Sequence, residues 1–310
     1  MHMHMQTHMH THMLASIEIP PLTQARASGD YHPGNDQWQP LGTTGLFAWA
    51  IGVAPSKDNY WSTQWQPGSK WGDTTNEPYN RLQAAVITLS KGPVCPSDAI
   101  GKSDVPLIMR SAMSDGTLLQ PARPATQIDA TFAAKAFGHN TPDGEIWFAP
   151  SVVSGRRYGV LLSAVLKAPY GIKPETLGYP AGYELVAVES NASSTAVVVS
   201  AASPLSLMAS GKYDFSLWNL SPREPNGWAL LGEVGSKWVG VSPARVQQVY
   251  YADTQLTVTV RGAVSETVSI AFASPGSSDH PAGKVVTVDC VIPSGGTARA
   301  NVPSATCVAD

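Results

Sequence analysis

Apolar positions recur along this chain with two periods, and the change comes after about the first third. In the front part, Leu82, Ala85, Val86 and Leu89 stand three and four apart, which puts them on one helix face and predicts a helix over 79–90. Gly92 stands where that helix should stop. Leu41 to Ala54 is apolar with small residues, long enough for a buried helix. Pro93 to Asp98 reads as a short buried strand running into a loop, and Val105 to Met113 as a short helix. Strands alternating with helices predict a parallel α/β layer.

From residue 125 onward the period becomes two. Glu145–Ala149, Tyr158–Val165, Tyr183–Glu189, Thr195–Ser200, Lys212–Trp218, Gln255–Val260, Thr267–Phe272 and Lys284–Asp289 read as strands. Gly- and Pro-rich turns separate them, as in Pro222-Arg-Glu-Pro-Asn-Gly227. This spacing predicts a C-terminal antiparallel β-sandwich over 125–310. The front unit then spans 14–120, and the hinge falls at Gln120-Pro-Ala-Arg-Pro124.

Composition narrows the classes. A chain of 310 residues can bury a core without disulfides or a metal. Its net charge of −3 offers no attraction to nucleic acid or to an anionic membrane surface, and no apolar run is long enough to cross a bilayer. Cys290 and Cys307 lie close together in the strand-rich tail and are placed to pair, which suits an oxidising compartment. Cys95, in an apolar stretch, reads as a buried thiol. Asn191 and Asn219 open glycosylation sequons, which permit a secreted protein, although the first residues lack the pattern of a signal peptide. Residues 1–13 largely alternate Met and His. Such a tract either binds copper or zinc through imidazole and thioether, or is a flexible, disordered leader.

The candidate chemistry begins at Arg26-Ala-Ser-Gly-Asp30. An Arg four residues before an Asp at the head of a loop is either a local salt bridge or part of a sugar site in which the Asp donates a proton to the leaving oxygen. Five tryptophans follow between Trp38 and Trp71. Trp49, inside the apolar helix, reads as core. Trp61, Trp65 and Trp71 stand among polar residues and are candidates to stack on sugar rings. Ser97-Asp98 is a ligand loop or a turn capping the helix at Val105. Asp58 and Glu77 are further carboxylates, and His32 is a loop histidine able to orient a water. No phosphate loop, zinc-spaced Cys/His set or nucleophile elbow is present.

Taken in order, these segments resemble the C-terminal part of α-galactosidases and raffinose synthase-like proteins. Arg26 to Asp30 is similar to that family's Arg-x-x-x-Asp, and Gly92-Pro-Val-Cys-Pro-Ser-Asp-Ala-Ile-Gly101 to its Gly-Pro and Ser-Asp strand. Asn59-Tyr-Trp-Ser-Thr63 falls where the family has an aromatic segment, and Asp115-Gly and Arg123-Pro follow in its order. The resemblance covers about residues 20–130. It implies that 14–120 are the last strands and helices of a (β/α)8 barrel, with catalytic groups on the loops after the strands. It implies that Asp30 is the acid/base residue, that Arg26 orients loop and substrate, and that the Asp98 loop faces an oligosaccharide or glycoside, which Trp61 and Trp65 would contact as stacking aromatics. No cofactor is implied. A retaining partner carboxylate should stand about 5–5.5 Å away. Upstream of Arg26 the only carboxylate is Glu18, and Gly29 stands where raffinose synthase-like members often carry a further Asp. The expectation is a glycosidase-like or galactosyltransferase-like chain that is inactive alone, with an open barrel edge suited to self-association. The alternative is a non-catalytic carbohydrate-binding or adhesion β-sandwich protein.

Overall fold

The computed structural model describes residues 23–310 except Asp36, His139, Asn140, Ser193 and Tyr213. The Met/His tract and Glu18 lie outside the described residues.

The front part is built around two short parallel strands and two helices. Strand β1 (Gln24–Arg26) pairs in parallel with β2 (Ala54–Ser56), and helix α1 (Leu41–Ala50) connects them. Helix α2 (Asn80–Leu89) lies at the centre, with every residue from Leu82 to Leu89 buried, polar Gln83 and Thr88 included. Thr88 is satisfied by the Ala84 carbonyl and by Ser111 Oγ, each at 2.7 Å. The helix ends before Gly92, and the turn is made by Lys91 at φ +78°. Gly92 is needed for close approach instead. A Cβ there would lie 2.4 Å from that of Ser56, so glycine lets this segment press against β2. Helix α3 (Val105–Met109) is only five residues, and Asp104 Oδ1 caps it by accepting the Leu107 amide at 3.0 Å.

Behind these helices stands a six-stranded sheet. Its strands are β3 (Thr126–Gln127), β4 (Glu145–Val153), β5 (Arg156–Ala164), β7 (Leu185–Glu189), β8 (Ala196–Val199) and β10 (Phe215–Pro222), in the order β3-β4-β5-β10-β7-β8, all antiparallel. Trp147, Leu162 and Leu217 are in register on one face and pack with Trp38, Leu41, Leu82 and Leu89 of the front part. Phe148 and Leu161 line the other face, beneath helix α4 (Asp129–Phe137), the 3-10 turn Pro174–Leu177 and the ribbon of β6 (Tyr170–Ile172) with β9 (Leu205–Leu207). Both faces are therefore buried, and the apolar runs of β4 and β5 follow from that.

The C-terminal quarter, from Ala229 on, is a sandwich of two smaller antiparallel sheets. One is β11 (Ala229–Gly232), β14 (Thr267–Ala273) and β15 (Val285–Val291). The other is β12 (Val246–Ala252), β13 (Gln255–Arg261), β16 (Thr297–Val302) and β17 (Thr306–Ala309). Val268, Ile270 and Phe272 of β14 meet Val258, Val260 and Ala300 across the interior, and the Cys290–Cys307 disulfide joins β15 to β17.

The predicted barrel segment is overturned. Among the described residues the parallel pairings are the ladder of β1 with β2 and a separate isolated bridge between Tyr60 and Pro96, and all the large sheets are antiparallel. The expected strand at Pro93–Asp98 fails because Pro93 and Pro96 have no amide hydrogen to donate to a ladder. That stretch is partly or fully exposed, so Cys95 is an exposed thiol rather than a buried one. Trp49 is half-buried instead of core. The β-rich part also contains helix α4, which the period-two reading missed. Gln120–Pro124 is fastened on both sides: Gln120 Nε2 donates to the Gly92 carbonyl at 2.7 Å, and the Ala122 amide to that of Pro150 at 3.1 Å.

Candidate functional site

Three loops converge just past the C-terminal ends of β1 and β2, a position where open α/β layers commonly bind ligands. Arg26, the last residue of β1, spans two carboxylates. Its Nη2 lies 2.7 Å from Asp30 Oδ1 and its Nη1 3.4 Å from Asp58 Oδ2. The two aspartates are used differently. Asp30 is 87% exposed and is held by Arg26 alone among the described residues. Asp58 is turned inward: Oδ2 also accepts the Tyr31 amide at 2.7 Å and Oδ1 accepts Asn59 Nδ2 at 3.3 Å, while the Asp58 amide donates to Ser28 Oγ.

Behind Asp58 lies a buried polar chain. Tyr31 Oη donates to Glu77 Oε2 at 2.7 Å and accepts the Trp61 amide at 3.1 Å. Burial pushes the Glu77 carboxyl up, while its bonds from Tyr31 and from the Tyr79 amide pull it down. Burial, together with the Glu77 charge, also drives the Tyr31 phenol far above its ordinary value. Lys57 is buried, with Nζ 2.8 Å from the Asn59 carbonyl and 5.0 Å from the centre of the Tyr31 ring. Burial lowers its ammonium to about 8, against the attraction of Asp58 and Glu77.

Asp98 is a fastener between loops. Oδ1 accepts the Ser62 amide and Gln66 Nε2, each at 2.8 Å, and Oδ2 accepts Ser62 Oγ at 2.6 Å. It is not the cap of α3; Asp104 does that. Trp61, at 4% exposure, is core, edge-on to Tyr31. Trp71 is covered by His32 at 4.1 Å between ring centres and by Lys70 at 4.5 Å. Trp65 is 52% exposed, and its indole N–H is fixed to the Asp73 carbonyl. The structure thus brings Arg26, Asp30 and Asp58 together. It puts Trp61 inside the core, closes Asp98 into its own loops, and leaves Trp65 as the aromatic platform open to solvent in this region.

A second candidate lies on the outer face of the four-stranded sheet. Register places Gln248 beside Thr259 and Thr259 beside Arg299, and in the next row Tyr250 beside Thr257 and Thr257 beside Asn301. Gln248, Tyr250, Thr257, Thr259 and Arg299 line a cleft of about 190 Å³. Tyr250 is exposed, Thr257 Oγ1 donates to Asn301 Oδ1 at 2.9 Å, and Arg299 is ion-paired to Asp310. Of the five lining residues the sequence reading placed only Thr257 and Thr259 on a strand. Strand β12 was missed because a bulge at Val246–Gln248 puts two buried valines, Val246 and Val249, three residues apart and breaks the alternation. The remaining signal was Thr297-Ala-Arg-Ala-Asn-Val302, whose alternate positions Ala298, Ala300 and Val302 point inward. Comparison with protein-family models finds no match for this chain, and comparison with curated proteins finds none.

Proposed function

We propose that this chain is a carbohydrate-binding protein that holds its ligand without cleaving it, through the cleft on the outer face of the four-stranded sheet. One observation carries this: an exposed tyrosine ring, two threonine hydroxyls, a glutamine amide and a guanidinium lie together in one cleft. A sugar ring offers an apolar C–H face to an aromatic plane and a rim of hydroxyls to donors and acceptors. At about 190 Å³ the cleft is smaller than the roughly 300–1,000 Å³ of sites that enclose a whole small molecule, which suits one sugar residue of a longer chain. The test is calorimetric titration of the whole chain with an oligosaccharide panel. Tyr250→Ala should weaken the best binder at least about tenfold, roughly 1.4 kcal/mol. Unchanged affinity in that variant, or a panel with no binder, sinks the reading.

A second reading is favoured by the Arg26 clamp, which sets two carboxylates beside one another at a solvent-facing loop. Under it, Asp30 serves as acid/base in cleaving an α-linked galactoside, as the family resemblance implies. Against it, Asp30 lies open to solvent and is ion-paired to Arg26 rather than enclosed in a substrate cleft. Release of phenol from an aryl α-galactoside that disappears in Asp30→Asn would establish it. We expect none.

A further inference from the structure

We infer that the cleft selects an acidic sugar, one carrying a carboxylate, over its neutral counterpart. This rests on the carbohydrate-binding reading above and adds the chemical class of the ligand.

The lining contains one charged group, and it is a cation. Gln248, Tyr250, Thr257 and Thr259 are neutral, and Arg299 stands at the edge of the row they form. A guanidinium has five N–H donors in a planar fork that matches a carboxylate. Asp310 engages Nη2, and the rest of the fork has no protein partner among the described residues. The Arg299 side chain is half exposed, so an incoming anion can reach it. Its backbone lies in the middle of the sheet, paired to Thr259 on one side and to Val308 on the other, which fixes where the fork starts. The Asp310 bond then limits how the guanidinium turns.

The neighbouring charges do not supply a competing site. Arg261 lies two residues beyond Thr259 on the same outer face, in the next row and outside the lining of the cleft. Asp310 is the one carboxylate in contact with Arg299 among the described residues. It weakens the attraction for an anion without cancelling it, because a bidentate bond to the free edge of the fork adds two charge-assisted hydrogen bonds. Exposed charges this close to water are screened by salt, so the preference is a matter of several-fold, not of orders of magnitude.

The experiment uses the whole chain with tri-galacturonate and with the same trisaccharide as its methyl ester, which keeps every hydroxyl and removes the charge. The acid is expected to bind at least about fivefold tighter at low salt, with the gap closing as salt is raised. Arg299→Gln should abolish the difference between acid and ester, whatever it does to the affinity for the ester itself. Asp310→Asn, which removes the competing carboxylate, should widen the gap. If acid and ester bind equally and Tyr250→Ala weakens both, the charge inference is overturned while the carbohydrate reading stands. If neither trisaccharide binds, and no other member of the panel does, both fall. A preference for the acid that survives Arg299→Gln also overturns the inference.

Discussion

Gly42, in the first turn of α1, lies so close to the indole of Trp147 on β4 that a Cβ at residue 42 would stand 2.5 Å from Nε1. This contact seats the front part on the six-stranded sheet. The indole cannot swing aside easily, because its N–H donates to Glu145 Oε2 at 2.7 Å and its ring packs against Trp38 at 5.4 Å between centres. Gly42→Ala sets two effects against each other. Alanine favours the helix by about 0.5–1 kcal/mol, while overpacking costs about 1–3 kcal/mol. The clash should win, and chemical denaturation should show a net loss of about 1–2 kcal/mol.

Much of the fold was legible where one period governed a segment. Helix α2 came from apolar spacings of three and four, and β5, β7, β13, β14 and β15 from alternation or continuous apolar runs. The Cys290–Cys307 pair followed from proximity in the strand-rich tail. The barrel segment did not follow, because alternating short apolar runs do not reveal which runs can donate to a ladder. Pro93 and Pro96 decided that locally. Trp61 was placed in a cleft on its polar sequence neighbours, yet those neighbours bond to one another. Ser62 is tied to Asp98 and Gln66 to both Thr63 and Asp98, and the ring beneath is sealed. The sheet cleft was invisible because its residues come from β12, β13 and β16, and only the register sets them side by side.

Asp98 should matter for the stability of the loops rather than for ligand binding. It accepts three hydrogen bonds from residues more than thirty positions away. Hydrogen bonds to a charged group contribute about 1.5–3 kcal/mol each in favourable cases, and their loss is not additive. Asp98→Ala is expected to cost about 2–4 kcal/mol in urea unfolding. It should leave the affinity for the best oligosaccharide within about twofold, since the cleft is on another sheet.

Arg245 is fully buried and joins two glutamates, with Nε 2.7 Å from Glu233 Oε2 and Nη2 2.6 Å from Glu266 Oε1. Arg245→Met leaves two acids without their cation in the interior. It should cost about 3–5 kcal/mol. Adding Glu233→Gln and Glu266→Gln to the same variant should recover a large part of that loss, because the stranded charges are then gone. A triple variant as unstable as the single one would show that packing of the arginine stem, not charge, holds this region.

The Cys290–Cys307 bond closes a loop of separation 17 and ties the last strand to the opposite sheet. Chain entropy alone makes such a link worth about 3 kcal/mol. Cys290→Ser with Cys307→Ser should lower the melting temperature. Backbone exchange should rise first in β17, which pairs with β16 alone in its sheet.

Lys57 gives the chain an unusual pH dependence. Its folded value of about 8 lies below the ordinary lysine value of 10.5. Between these two values the folded amine is mostly neutral while the unfolded one still carries a proton. The unfolded state therefore binds more protons, and stability rises with pH. Tyr31 acts in the opposite sense at the upper end. Its folded phenol is raised far above 10, so the stability it contributes is complete below pH 10 and is lost as pH climbs further. The window of increase runs from about pH 8 to about pH 10, with a gain of roughly 2 kcal/mol. Unfolding free energies measured across that range should rise in the natural chain and rise clearly less in Lys57→Met, where Lys91 and Lys237, also lowered by burial, still contribute. An undiminished slope in the variant would assign the titration to those other groups, and a natural chain with no slope would mean that Lys57 keeps an ordinary ammonium despite its burial.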